Sequence, residues 1–506
     1  MSVVKYISDR IGVMYLGHMM EEADMGLEQY LTVIDDSKET LDALADQIWG
    51  CAETAYSETK SVEKLTEFFR KEGFTVEDKA YGIDTAFTAS FGSGSPRIGI
   101  LGEFDALSGL NQIAGLVEKK SEHPGAPGHG CGHNLLGVGS AAAALAVRDY
   151  LKAGHPGTVI YYGCPAEEGG SGKAFMAKEG AFRDLDAAIT WHPGTSNVVV
   201  TNSSLANFQV LYSFEGTAAH AAGCPELGRS ALDSLELMNV GVQFLREHMI
   251  EQARIHYAIV DAGGYSPNVV QPTAKAIYLV RAPKQQDAAE LLARVDNIAK
   301  GAALMTDTKV TRRFIKSCAN FVSNRTLEKL LYQSMQEVGV PTYTEEEYAL
   351  AAKYTATAPA GSDRGYDELV SDMLIPGDIK FMKAHKKDRL WDFIVPYEEI
   401  HIVKATGGST DVGDVSFQCP TAQITCMTLA PLTPGHSWQI VSQGKSTTAH
   451  KGMRFAGKSM ALAVMKLMES PDTLKTARAE FDEVMADQKY IPIPKDAHPV
   501  AMSSLY

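Results

Sequence analysis

The sequence predicts an α/β protein whose mixed sheet is interrupted by a second, smaller unit, and three observations carry that expectation. Apolar, β-rich runs in the first part of the chain repeatedly end in polar loops and then give way to helix-like segments. From about Phe208 the order changes to strand, helix, strand, strand, helix, strand. The side chains able to do chemistry fall at the ends of runs of the first kind, which is where open α/β sheets bind their ligands.

The elements follow in order. Acidic segments near residues 20–50 and 58–73 read as helices. "RIGILGEFDALSG" then supplies a buried strand over Ile98 to Leu101 that runs into an acidic loop. "PGAPGHGCGHNLLG" is a loop leading into "NLLGVGSAAAALAVRDYLKAG", which, like "GKAFMAKEGAF", combines small and apolar residues with a terminal Gly and reads as a helix. Between those helices "TVIYYGCPAEEGG" is a strand ending in Glu167 and Glu168, and after them "DAAITWHPG" is a strand ending in His192. The changed order then begins, with strands "FQVLYSFEG", "IHYAIVDAGG", "AIYLVRAP" and "TKVTRRFIKSC" and helices "SALDSLELMNVGVQFLREHM" and "QQDAAELLARVDNIAKGA". Together they make a split βαβ unit of about 120 residues. The division expected is 1–204 and 324–506 for the larger domain, with 205–323 inserted between them. The returning chain contains the helix "TLEKLLYQSMQEVG" and a strand in "TAQITCMTLAPLTPGHSWQIV", after which comes His436.

Composition limits the function. At 506 residues the chain exceeds the roughly 250–300 at which single cores stop growing, so two domains are expected. Its 47 Lys and Arg stand against 62 Asp and Glu, a net charge of −15 that argues against nucleic-acid or anionic-membrane partners; an anionic substrate would need a local positive site. "MSVVKYISDRIGVMYLGHMM" lacks a continuous apolar region and a small-residue cleavage site, and no run of about 18 apolar residues occurs, so a cytoplasmic location is expected. Seven cysteines, an odd number scattered widely, suit reduced thiols better than a disulfide framework.

The Cys131 and His133 pair lies two residues apart, so in an extended or tight-loop segment both side chains point the same way. By itself the pair reads more readily as a buried thiol beside an ordinary histidine than as a metal site. Glu167, Glu168 and His192 at neighbouring strand ends add to it, and thiolate, imidazole and carboxylate together make the usual ligand set for zinc and related divalent ions. Paired glutamates suggest a division of labour, one binding metal and the other moving protons. A bound divalent ion lowers the pKa of water from about 15.7 to about 7, and a nearby carboxylate can carry its proton to a leaving amine, which is the machinery of amide hydrolysis. The alternative for "PAEEGGSG" is a solvated acidic turn. Asp105 reads either as an outer acceptor for a ligand histidine or as a helix cap. His129 and His123 read as loop histidines, and "GGSGK" and "GVGSAA" fall short of nucleotide-binding patterns.

The ordered motifs "GHGCGHN", "PAEEGGSGK", "WHPG", "GTAAHAAGCPELGRSALD", "GGYSPNVVQPTAKAIYLVRA", "GGSTDVGDVS" and "PGHSWQ" resemble the amidohydrolase branch of peptidase family M20 over nearly the whole chain. The resemblance implies a catalytic domain of the zinc-exopeptidase type with two divalent metal ions, zinc or manganese. The inserted domain becomes a ferredoxin-like lid through which subunits form a homodimer, with room for a second, related subunit. It implies Cys131, His133, Glu168, His192 and His436 as metal ligands and Glu167 as general base and acid. His220 would reach an active site, often the neighbouring subunit's, to stabilise the oxyanion, and Asn268 and Arg281 would contact substrate. From the residues alone, these last three read as a turn histidine, a turn residue and a surface cation. The implied substrate is a small N-acyl amino acid, an aromatic acyl-glutamate in particular, with dipeptides as the alternative.

Two departures from the family pattern stand out. Asn134 follows the C-x-H pair where many relatives carry Asp, and "EFDAL" occupies the place where other branches have a ligand histidine before their aspartate. The segment 340–405 is longer than the simplest members need and is expected to shape the substrate pocket. Two rival classes are a cysteine hydrolase with Cys131 as nucleophile and His133 as base, and a non-enzymatic protein with one closed structural ion. The spare carboxylate of Glu167 argues against the latter.

Overall fold

The computed structural model describes residues 26–398, 405 and 407–501. The N-terminal stretch read above for a leader, the first residues of the 20–50 segment and a few residues near 400 lie outside the described residues. In chain order the strands are β1 (Thr75–Asp78), β2 (Phe87–Ser93), β3 (Arg97–Glu103), β4 (Gly157–Cys164), β5 (Ala187–Gly194), β6 (Ser196–Val199), β7 (Ala206–Glu215), β8 (Arg254–Asp261), β9 (Thr273–Ala282), β10 (Lys309–Cys318), β11 (Trp391–Ile394) and β12 (Thr421–Met427). The helices that matter most are α1 (His133–Lys152), α2 (Gly172–Lys178), α3 (Ala231–Leu245), α4 (Gln285–Thr306) and α5 (Thr447–Glu469).

The larger sheet has eight strands in the order β1-β2-β4-β3-β5-β12-β6-β11. Its centre, β4-β3-β5-β12, is parallel, while β2 and β6 join it antiparallel, so the sheet is mixed. Ile98, Ile100 and Leu101 of β3 are fully buried because both faces of the sheet are covered, which is why that strand reads as a continuous apolar run. The small-residue run of α1 has a steric cause. A Cβ on Gly139 would lie 2.6 Å from the Trp191 ring, and one on Gly457 of α5 would lie 3.0 Å from Ala142 Cβ. Helix α1 is therefore clamped between the sheet and α5 and is buried nearly all round, without an amphipathic stripe.

The smaller sheet, β10-β7-β9-β8, is antiparallel throughout and has its own core, in which Leu235 and Met238 of α3 and Val295 of α4 meet Val210, Tyr278 and Val280. The element order β7-α3-β8-β9-α4-β10 is βαββαβ. Where the chain enters and leaves this unit the two passes are tied together: Ser204 Oγ accepts from Phe321 N at 3.1 Å, and Ser203 Oγ donates to Phe321 O at 2.7 Å. Within 340–398, the helices Arg364–Asp372 and Pro376–His385 and β11 form a small core around Tyr366, Met382 and Trp391, and β11 extends the edge of the larger sheet. Thr355 Oγ1 donates to Pro431 O at 3.0 Å, bracing the loop that carries His436.

Asp414 joins the two units. Its carboxylate accepts from Ala319 N at 3.0 Å and from the Tyr490 hydroxyl at 2.8 Å. Burial pushes this carboxyl up from 3.8 to about 7. Because the folded pKa is raised, the contribution is fully present below the unfolded value and is lost as pH rises towards the folded one. Melting curves should therefore show stability falling between about pH 4 and 7, and Asp414→Asn should flatten that part of the profile.

Candidate active site

The parallel strands deliver their C-terminal ends to one edge of the sheet. Glu103 and Asp105 lie at the end of β3, Glu167 and Glu168 follow β4, His192 lies near the end of β5 and His436 in the loop after β12. Cys131 and His133 arrive from the other direction, at the N-terminus of α1. Gly132 between them adopts φ 77°, so the pair spans a left-handed tight turn, and a Cβ at that position would lie 3.0 Å from the Pro193 side chain.

The donor atoms form two overlapping sets. Those of Cys131, His133 and His192 lie within 4.8 Å of one another, and so do those of Cys131, Glu168 and His436. Cys131 belongs to both. Its Sγ lies 3.4 Å from His192 Nε2, and His436 Nε2 lies 3.4 Å from Glu168 Oε2. All five side chains expected as metal ligands are thus brought together, and Glu167 adjoins them in a third set with Glu103 and His133.

Asp105 organises the centre. Its Oδ1 accepts from His133 Nδ1 at 2.9 Å and its Oδ2 from the Glu168 backbone N–H at 2.9 Å. No helix follows it, since the chain continues into a bridge between Leu107 and Gly128. With Nδ1 held by Asp105, Nε2 is the His133 atom turned to the cluster. That Nε2 and Glu168 Oε1 are buried without a hydrogen-bond partner. Buried polar atoms left without partners beside a thiol and two further histidines fit a divalent cation.

The electrostatics agree with that fit. Burial pushes the Cys131 thiol up to about 12, with His133 opposing and Glu168 reinforcing the rise. A thiol so protonated is a poor free nucleophile, whereas a cation replacing its proton makes it a ligand. Burial raises Glu167 well above the usual carboxylate range, and the charges of Glu103, Glu168 and Asp411 add to the rise. The residue before it, Ala166, holds φ 62°, and its amide donates to Glu58 Oε1 at 2.9 Å. Glu58 is itself buried, and burial together with Asp105 raises it to about 8. A strained backbone pinned in this way fixes where Glu167 points.

One residue beside the cluster was not singled out by the sequence. Lys173 is wholly buried, its Nζ 2.5 Å from Glu103 Oε1 and 2.6 Å from Asp411 Oδ1. The available signal was a lone lysine among glycines and apolar residues beside two glutamates. His129 lies in a loop as expected, but it is buried, 3.0 Å from Ile48 O, with burial and His133 lowering it to about 4, so it is a neutral helix-end contact. His123 is exposed. Asn134 answers the question raised by its departure from Asp: its Nδ2 donates to Gly444 O at 3.1 Å and to Ala45 O at 3.4 Å. Both partners are carbonyls, and an ionised Asp would have nothing to donate.

Three residues implied by the resemblance stand outside the cluster. His220 sits on an exposed turn of the smaller unit, its Nδ1 accepting from Gly223 N at 3.0 Å. Asn268 is beside it, its carbonyl accepting from Ala221 N at 2.9 Å. Arg281 in β9 reaches the larger unit, Nη1 donating to Ser409 Oγ at 2.8 Å.

The sheet-edge cluster and the inserted antiparallel unit define the class: the chain belongs to Peptidase family M20/M25/M40, whose model matches residues 99–413, and it is a metal-dependent amide hydrolase. It is 45% identical over 479 residues to the B subunit of p-aminobenzoyl-glutamate hydrolase from Escherichia coli (strain K12), covering 94% of this chain and 99% of that one. It is 32% identical over 331 residues to the Xaa-Arg dipeptidase of Mus musculus, covering 62% of this chain and 72% of that one. Among solved structures, the fold resembles a dinuclear metal-binding peptidase of the M20 family from Bacillus subtilis, with a TM-score of 0.52 at 15% identity over 85% of this chain and 99% of that one.

Asn134→Asp should cost about 1–3 kcal/mol of stability at neutral pH, because two buried carbonyls lose their donor. Denaturant unfolding with the metal-depleted protein checks this, and an unchanged midpoint would count against the assigned role.

Proposed function

We propose that the chain hydrolyses the amide bond of p-aminobenzoyl-glutamate or a similar aromatic acyl-glutamate, using two divalent metal ions. The observation that carries this reading is the sharing of Cys131 between two ligand triads, with Glu167 beside them. Cys131, His133 and His192 would hold one ion, and Cys131, Glu168 and His436 the other. Thiolate and imidazole favour zinc, while the carboxylates also suit manganese. When bound, such ions supply Lewis-acid polarisation of the scissile carbonyl and a lowered pKa for water.

Glu167 takes the proton of the attacking water and delivers it to the departing nitrogen; its raised pKa suits it to hold the proton between the two steps. His220 stabilises the oxyanion from a neighbouring subunit, which its exposed position on the inserted unit supports. Asn268 and Arg281 engage the polar end of the substrate, and Arg281 supplies the local positive charge that an acidic protein needs for an anionic substrate. Residues 205–323 serve as a lid and dimerisation domain between the catalytic segments 1–204 and 324–506. Edge strand β8 exposes Tyr257 and Ile259, and α3 exposes Val240 and Phe244, a surface suited to a second copy. Because the similar Escherichia coli protein carries the name of one subunit of its hydrolase, a second related chain is the other partner to test. A cytoplasmic location agrees with all seven cysteines being unpaired and with no described helix being long and apolar enough to cross a membrane. The similarity to an Xaa-Arg dipeptidase supports dipeptide hydrolysis as a second reading.

Glu167→Ala should retain its metal while turnover falls by about 10²–10⁴-fold or more; a near-normal kcat would remove its role as base. His220→Ala should lower kcat without changing metal content. Mixing it with Glu167→Ala should restore part of the activity through hybrid dimers, and no recovery in demonstrably mixed dimers would place the histidine's action within one subunit. Parallel assays on p-aminobenzoyl-glutamate, other N-acyl amino acids and basic dipeptides separate the two substrate readings.

A further inference from the structure

Glu103 has no place in the mechanism above, yet it is built into the centre. It ends β3, is almost wholly buried, and its two oxygens face different partners. Oε1 receives Lys173 Nζ at 2.5 Å, while Oε2 faces His133 Nε2 at 3.3 Å. The second contact is the informative one. Asp105 already accepts from His133 Nδ1, which leaves Nε2 as the ring atom that faces Glu103 Oε2, and Nε2 is buried without a hydrogen-bond partner. With a carboxylate oxygen of Glu167 these two atoms form a set of three ligand atoms within 4.8 Å of one another, of the kind that holds a divalent cation.

Lys173 and Asp411 explain why the carboxylate stays in that position. Lys173 is fixed at both ends: its Nζ bridges Glu103 and Asp411, and its backbone N–H donates to Asp411 Oδ2 at 2.8 Å. Two carboxylates and one ammonium leave one net negative charge in a buried site. Since Lys173 occupies Oε1, the remaining lone pairs for that charge are on Oε2, on the side of His133 and Glu167.

We infer that Glu103 is a further ligand on the His133 side of the metal centre and that Lys173 and Asp411 are positioning residues for its carboxylate. The inference rests on the metal-centre reading given above and adds a sixth protein side chain to it. It also gives a physical sense to the departure at "EFDAL": the strand end that carries a ligand histidine in other branches here carries a carboxylate, held by its own buried lysine.

The test uses wild-type protein and Glu103→Gln, which keeps the shape and removes the charge. Both are depleted of metal and titrated with zinc against a competing chelator, and then loaded with cobalt(II) for visible spectroscopy. The wild type should bind two ions. Glu103→Gln should bind one of them at least tenfold more weakly, with stronger cobalt d–d bands as a ligand is lost, while the thiolate-to-cobalt band of Cys131 persists. Lys173→Met should weaken the same ion, and Lys173→Arg should restore part of the affinity; this pair decides the matter if Glu103→Gln does not fold. Unchanged zinc affinity and cobalt spectrum in folded Glu103→Gln, or in Lys173→Met where that variant has to stand in, would overturn the inference and leave the two-ion reading intact. A wild type that takes up no divalent ion would overturn both.

Discussion

The carboxylate of Asp105 is the interaction on which the centre depends. With one oxygen it fixes the His133 ring and its tautomer, and with the other it holds the backbone of Glu168. Two donor groups from different elements, the start of α1 and the loop after β4, are thereby set relative to the end of β3. Without that bridge the imidazole could rotate or exchange its proton, and the Cys131 turn would lose its fixed neighbour.

The rest of the fold places Asp105. Parallel β3, β4, β5 and β12 end at one edge, so residues remote in sequence converge without long side chains. The small residues of α1 let that helix lie against Trp191, the neighbour of His192, and so bring Cys131 and His133 over the same edge. Strain is concentrated nearby: Ala166, Ser171 and His436 all hold left-handed conformations, and Glu58 secures the first of them with a buried hydrogen bond. The negative charge collected at this edge is partly neutralised by Lys173, which is why a protein with a net charge of −15 nevertheless buries a lysine completely.

Much of this was legible from local pattern. Alternating strand, loop and helix announced the larger sheet, and the change of order after Phe208 announced the βαββαβ unit, because each segment carries its own periodicity and punctuation. The cluster of Cys131, His133, Glu167, Glu168 and His192 was legible because the donors lie at strand ends, where ligands bind. Lys173 and Glu103 were not, since their meaning lies in a pairing with Asp411, 238 residues beyond Lys173. Asn134 was opaque for the same reason: its partners, Ala45 and Gly444, come from opposite ends of the chain. His220 is a different case, for one chain shows it on an exposed turn and its action is proposed to need a second.

The central claim is that two divalent ions held around a shared Cys131 serve the hydrolysis of an aromatic acyl-glutamate. The most direct measurement follows p-aminobenzoyl-glutamate cleavage while metal-depleted protein is titrated with zinc or manganese and bound metal is quantified. The account predicts no turnover without metal and a rise to full activity as the second equivalent per chain is taken up. Cleavage that survives complete metal removal, or full activity reached with a single bound ion, would contradict it.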